Sequence, residues 1–370
     1  MADESLFETI HDLSDLELAV LLSLIAREHC LISTPQDGVD DLIEELQLVQ
    51  TESSKPPFPS VASKTFGLNS VVVHCDSSTT LDTFASSLLV AHPQTPGSFT
   101  PLPNIRSESY FSARPRHYQL PSAGDSSLRI ANVVLAKDLD RAPHAVQIQA
   151  LELLRTRRIF TRTAVHAAPK QFLFVPVLAA ESGGEARVTR HLNDFLFLAH
   201  WHDPEDGYVN LEEAEDGGVD DETASTGSVV KARVPGAVTE ALISENDISH
   251  LAKLSQQVVA DVDVIRYQMN IVSFLRMHRA VADGISPAAT KHLEQLARCL
   301  APLHNVDYVT PALLSLAARK VYLHRIRITA PEKERSMQWG SKLRAVEAVL
   351  EGVGPEEVIE DVLEMVTAPL

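Results

Sequence analysis

The sequence predicts an α/β fold: a parallel sheet covered by helices on both faces, followed by a helical unit. Three observations carry this. Five short apolar runs recur through the first part of the chain, separated by segments of helical period or loop composition. These runs are continuous rather than alternating, as strands buried on both faces are. Beyond residue 236 only helix signals follow, two of them marked by Ser or Thr directly before Pro.

Taken in order, residues 5–28 read as one helix, with Leu13, Leu16, Leu18, Leu21, Leu22 and Ile25 at helical spacing. HCLIST (29–34) reads as a buried strand and VDDLIEELQLV (39–49) as a helix. The Ser- and Pro-rich stretch 51–64 is a loop, SVVVHCD (70–76) a second strand, and 77–90 a helix. Residues 92–127, rich in Pro, Ser and Gly, form an excursion with little regular structure. IANVVLAKD (130–138) is the third strand, and 142–158 a helix with Pro143 near its start, where a missing N–H costs little. QFLFVPVLAA (171–180) and FLFLAHW (195–201) are the fourth and fifth strands.

The domain organisation read from this is a core over 1–202, an acidic linker over 203–235, a helical unit over 236–330 and a tail over 331–370. Within the linker, residues 203–228 are dominated by Asp, Glu, Gly, Ser and Thr and are expected to be flexible. Ser286 with Pro287, and Thr310 with Pro311, are expected to start two helices. The tail ends in an acidic amphipathic helix, GPEEVIEDVLEMV, with Val358, Ile359, Val362, Leu363 and Val366 along it. That helix and the acidic linker are the expected docking elements.

Composition narrows the function classes. The 370 residues are 45% hydrophobic, enough for a sizeable core, and carry a formal charge of −18 with a pI near 5.2. Such a balance argues against non-specific binding of nucleic acid or anionic membrane, which needs a basic footprint. Cys30, Cys75 and Cys299 show no metal-type spacing and are expected as free thiols in a reducing compartment. No apolar run is long enough to span a bilayer, and MADESLFETI lacks the basic start of a secretory signal. The expected setting is intracellular, cytoplasmic or nuclear.

The stretch LISTPQDGVDDLIEEL (31–46) poses the functional question. A strand, a turn and a helix start in that order form a phosphate-binding arrangement, yet the turn has no lysine and is followed by acids. The order of pieces, together with VVLAKDLDRAPHAVQIQALELLRTRRI, HLNDFLF, GISPAA and HNVDYVTPALLSLA, resembles the AAA+ ATPases of the magnesium-chelatase and MoxR type over residues 5–330. The resemblance implies a P-loop core and a helical lid, with ATP and Mg²⁺ as cofactors where the motifs are intact. It implies protein partners, among them other AAA+ or integrin-like-domain subunits.

Leu139 to Pro143 set the register of the resemblance, and several motif positions then depart from the family pattern. Thr34, Pro35, Gln36, Asp37, Gly38 and Val39 stand in the nucleotide loop. Asp40 falls at the phosphate-binding lysine and Asp41 at the Mg²⁺-binding hydroxyl. A carboxylate there would repel a phosphate ~4 Å away by roughly 4 kcal/mol at an effective dielectric near 20. Asp40, Asp41 and Glu44 could themselves serve the helix N-terminus, as ordinary acids of a first helical turn also do. Lys137 stands at the Mg²⁺-organising Asp and, having only donors, cannot coordinate the ion. It could pair with Asp40 or Asp41, or simply face solvent at a strand end. Asp138 stands at the catalytic Glu, one methylene short. Ala179 replaces a polar Asn, Asp194 an intersubunit Arg, and Ala288 a lid Arg.

The expected function is therefore a catalytically degenerate AAA+ protein, a scaffold or regulatory subunit with no catalytic residues, cofactor or metal. Two alternatives stand beside it: an active ATPase of the same type, driving metal insertion or protein remodelling, and an α/β module binding a different small ligand in an open apolar cleft. The pair His200 and His202, with Asp203, reads as a surface pair rather than a metal site.

Overall fold

The computed structural model describes residues 2–48, 65–91, 128–162, 164–216 and 241–369. The expected loop at 51–64 and the excursion at 92–127 lie outside them. The chain opens with α1 (Ala2–His11) and α2 (Asp15–Ala26), two helices rather than the single one expected. The break has a local cause. Ser14 accepts from the Glu17 N–H, and Glu17 Oε2 accepts from the Ser14 N–H at 2.9 Å, a reciprocal capping box that restarts the helix.

β1 (His29–Thr34) runs through a single 3-10 turn, Gln36–Gly38, into α3 (Val39–Leu48). β2 (Ser70–His74), α4 (Leu81–Ser87), β3 (Leu89–Ala91), β4 (Leu128–Ile130) and β5 (Val133–Lys137) follow. Next come α5 (His144–Thr156), β6 (Arg158–Phe160), β7 (Val165–Ala167), β8 (Leu173–Ala179), α6 (Arg190–Phe195) and β9 (Leu196–Trp201). The expected helix over 77–90 is shorter than read, because its last residues pair as β3 with β4 in a small antiparallel ribbon. A second ribbon, β6 with β7, went unread, since three-residue strands carry too little period to register.

The five expected strands form one parallel sheet in the order β2-β5-β8-β1-β9. Alternate residues serve opposite faces. Cys30, Ile32, Val133, Leu135, Leu173, Val175 and Val177 pack on the side of α2 and α3. Leu31, Val134, Ala136, Phe174 and Leu178 pack against Phe84, Val146, Ala150 and Leu153 of α4 and α5. The continuous apolar character of the runs thus reports a sheet with two buried faces.

The expected flexible segment is ordered in its first part. Pro204–Asp206 forms a 3-10 turn and Val209–Asp216 forms α7. Residues 217–240 lie outside the described residues. The helical unit comprises α8 (Glu245–Gln257), α9 (Val262–Met277), α10 (Pro287–Leu303) and α11 (Pro311–Tyr322), with a small ribbon of β10 (Val281–Asp283) and β11 (Arg327–Ile328). Ser286 and Thr310 accept from Ala289 N–H and Leu313 N–H, the two caps expected from Ser-Pro and Thr-Pro.

After α12 (Leu343–Leu350), α13 (Pro355–Met365) closes the chain. Its apolar side is not a free docking element: it lies against α9 and α11, with Val358, Ile359, Val362 and Val366 buried. An amphipathic stripe announces burial but not the partner, and here the partner is the chain itself. Among the described residues, no helix is long and apolar enough to cross a membrane.

Candidate functional site

Because the sheet is parallel, its strands deliver their last residues to one edge. Thr34 pairs with Ala179, Lys137 with Val177, and the Ala180 N–H donates to the Thr34 carbonyl at 2.9 Å. Three adjacent strand ends thereby bring Thr34, Pro35, Gln36, Asp37, Gly38, Val39, Asp40, Asp41, Lys137, Asp138 and Ala179 together, at the position where open α/β sheets bind ligands.

Side chains of the chain fill this cleft. The Lys137 side chain, 16% exposed, pairs through Nζ with the carboxylate of Asp40, a side chain 78% exposed. Arg141 Nη2 donates to Gln36 Oε1 at 2.6 Å. Asp41 and Glu44 face solvent. Asp138 adopts a left-handed backbone (φ 52) at the end of β5, is buried, and has Arg141 Nη1 3.6 Å from its carboxylate.

Two further groups come from the segment expected to be flexible. The Tyr208 hydroxyl donates to the Gly38 carbonyl at 3.1 Å. A Cβ on Gly38 would lie 2.8 Å from Tyr208 Oη, 3.0 Å from Pro204 Cγ and 3.1 Å from Thr34 Oγ1. The turn around Gly38 is therefore in close contact with Tyr208 and Pro204. Burial pushes the Tyr208 phenol above its ordinary range, and Asp41 and Glu45 add to that, so it stays a neutral donor.

Glu45 holds this segment in place. Its carboxylate, 1% exposed, accepts from the Asn210 N–H at 3.2 Å, Asn210 Nδ2 at 2.7 Å and the Leu211 N–H at 2.9 Å. These backbone donors belong to the first turn of α7, so Glu45 serves the N-terminus of a helix other than its own. Tyr208, Pro204 and Glu45 were not singled out as site residues. The available signal was turn chemistry: the Asp203 carboxylate accepts from the Glu205 N–H, and Gly207 has a positive φ of 77, in a stretch that acidic composition alone marks as loop.

His200 and His202 are buried rather than a surface pair, because β9 lies beneath α11. His200 Nδ1 lies 3.0 Å from Lys320 Nζ. Burial and that ammonium push the imidazole down to about 3. A neighbouring cation opposes metal binding at this pair.

Asp194 and Ala288 are not part of the cleft. Asp194 lies in the last turn of α6, just before β9, and the residues of β9 separate it from the cleft by roughly 20 Å at ~3.3 Å per residue. Its carboxylate accepts from the Ser286 hydroxyl and lies 3.8 Å from Arg325 Nε. Ala288 sits half-buried in the first turn of α10.

Residues 273–346 match the AAA lid domain family. A crystal structure of a candidate ATPase from Cytophaga hutchinsonii superposes with a TM-score of 0.62, covering 99% of this chain and 94% of that one at 13% identity.

The fold is an AAA+ core with its helical lid.

Of two sequence relatives, one is named for the MoxR-like branch of AAA+ proteins. The Bacillus subtilis protein YeaC, itself uncharacterized, is 24% identical over 246 residues, 65% of this chain and 67% of the relative. Chaperone MoxR1 of Mycobacterium tuberculosis is 24% identical over 254 residues, 65% of this chain but 58% of its own length. The filled cleft and Asp194 lie at opposite ends of β9.

Proposed function

We propose that this chain is a MoxR-type AAA+ protein that does not hydrolyse ATP and acts as a scaffold or regulatory subunit for a protein partner. One observation carries the reading: the phosphate cradle is occupied from within. Tyr208 and Pro204 pack on Gly38, and Lys137 is engaged by Asp40. The residues present do not fit a magnesium-bound triphosphate. A carboxylate stands where the phosphate charge would lie, and an ammonium where the ion needs an oxygen ligand. The partner half of the reading is supported by likeness to a protein named a chaperone.

Calorimetric titration with Mg²⁺-ATP, run beside a phosphate-release assay, tests the reading. No binding at millimolar nucleotide is expected. Micromolar affinity with steady phosphate release would sink it and make this chain a working ATPase.

A further inference from the structure

On the other side of the core, where α6 meets the lid, a cavity of about 530 Å³ carries five arginines: Arg187, Arg190, Arg276, Arg325 and Arg327. Among the described residues, two carboxylates line the cavity with them, Asp194 and Asp283, while Glu28 and Glu185 act on Arg325 and Arg187 from outside its walls. Asp283 is held by Arg327 in a two-pronged pair at 2.6 and 2.9 Å, with Arg190 at 3.8 Å. Asp194 is taken by the Ser286 hydroxyl, with Arg325 Nε 3.8 Å off. Arg325 Nη2 also lies 2.6 Å from His292 Nδ1, and the other contacts of these arginines within the cavity walls are to carbonyls. Arg187 Nη2 donates to Gly184 and Ile326 at 2.8 and 2.7 Å, Arg276 Nε to Ile285 at 3.3 Å, and Arg325 to Val321 at 2.7 Å and to Leu196. A carbonyl satisfies an N–H without cancelling its charge, so the walls stay strongly positive in a chain of net charge −18. The N-terminus of α10, a 17-residue helix, adds its partial charge at Ser286. Gly284, at φ 114, lets β10 pass so close to Arg325 that a Cβ would lie 2.0 Å from the Arg325 carbonyl oxygen.

The buried polar atoms along these walls are of two kinds. Arg325 Nε and Arg187 Nε are donors with no hydrogen-bond partner among the described residues. Asn193 Oδ1 and His324 Nδ1 are also unpartnered, and both residues are more than nine-tenths buried. His324 Nε2 lies 3.2 Å from the Leu196 carbonyl, which assigns its proton there and leaves Nδ1 an acceptor. A bare anion would answer the donors only. A ligand that also carries hydroxyls would answer both sets.

We propose that this core–lid cavity binds a free sugar phosphate. The phosphate is taken by Arg187 and Arg325 with the rim arginines Arg190 and Arg276. The sugar hydroxyls donate to Asn193 Oδ1 and His324 Nδ1. The volume lies within the ordinary range for small-molecule sites, ~300–1,000 Å³. This site is separate from the nucleotide cleft and stands whether or not that cleft binds ATP.

The test is calorimetry on the full chain with ribose 5-phosphate against inorganic phosphate. Ribose 5-phosphate should bind at least ~tenfold tighter than phosphate, and that affinity should fall at least ~tenfold in Arg190→Gln/Arg276→Gln, about 1.4 kcal/mol. Both arginines are exposed at the rim, and a melting curve checks that the variant folds. Arg190→Glu alone, a charge reversal on a side chain 67% exposed, provides a second variant and should weaken binding in the same direction. Equal affinity for ribose 5-phosphate and phosphate overturns the proposal. So does binding that neither variant changes.

Discussion

At the carboxyl end of the sheet, polar groups of the chain find one another: Lys137 with Asp40, Arg141 with Gln36, Glu45 with the start of α7, and Tyr208 with Gly38. Where α6 meets the lid they do not, and arginines crowd around two carboxylates while Arg325 Nε and Asn193 Oδ1 stay unpartnered among the described residues. A buried polar atom without a partner is costly, so a fold that keeps several around one cavity points to an external partner for them. The cleft keeps orphans of its own among the described residues, Thr34 Oγ1 and Asp138 Oδ1, so what separates the two regions is charge: Lys137 is matched by Asp40 in the cleft, whereas arginines outnumber carboxylates along the cavity.

The largest expected effect is from acid, and it reaches the cavity through His292, whose Nδ1 lies 2.6 Å from Arg325 Nη2. Burial pushes His29, His200 and His292 down to about 3, with Arg157, Lys320 and Arg325 as the neighbouring cations. As pH falls from 6.5, the unfolded chain takes up three protons at these positions, and a fourth at His324, which burial also pushes well down, that the folded chain refuses, so stability present above pH 6.5 is lost. Glu28 opposes this. Burial raises it to about 7, so its contribution is fully present below 4.5 and is lost as pH rises through 7. The histidines outweigh one carboxyl, and acidification from pH 6.5 to 4.5 should cost at least roughly 5 kcal/mol in urea denaturation. A flat profile would mean that these imidazoles are protonated in the fold.

Glu45→Ala addresses the cleft side. It leaves three donors of the first turn of α7 without their carboxylate and should cost about 3 kcal/mol, read as a lower urea midpoint. An unchanged midpoint would show that α7 is held by other contacts.

Gly38→Ala should cost ~1–3 kcal/mol through overpacking against Tyr208 and Pro204. Most of that loss should vanish in a Tyr208→Ala background. Equal losses in both backgrounds would mean that Tyr208 is not what crowds Gly38.

Lys137→Ala should be the mildest, under ~1 kcal/mol, because Asp40 is 78% exposed and water screens the pair. A drop of several degrees in melting temperature would mark a pair shielded more than its exposure suggests.

Much of the cleft was legible from residues close in sequence. The end of β1, the turn to α3, the acids of its first turn and Lys137 at the end of β5 are each marked by local pattern. A parallel sheet then brings strand ends together without further information. The capping box at Ser14 and Glu17 was legible too, but the run of leucines across it masked the break. Acidic composition likewise masked the turn and helix that follow Asp203.

What the sequence determined by itself is what short-range physics controls: strands from buried apolar runs, helix starts from Ser286 and Thr310, and hence the α/β core with a helical lid. Tertiary structure decided which groups meet across long separations. Glu45 reaches Asn210 165 residues away, Asn193 reaches the His324 carbonyl 131 residues away, and α13 turns its apolar side onto α9 and α11. A carboxylate or an apolar stripe states in sequence only that it needs a partner. Which partner it gets depends on the packing of the whole chain, because the energy of such a contact is set by burial and geometry that no local segment contains.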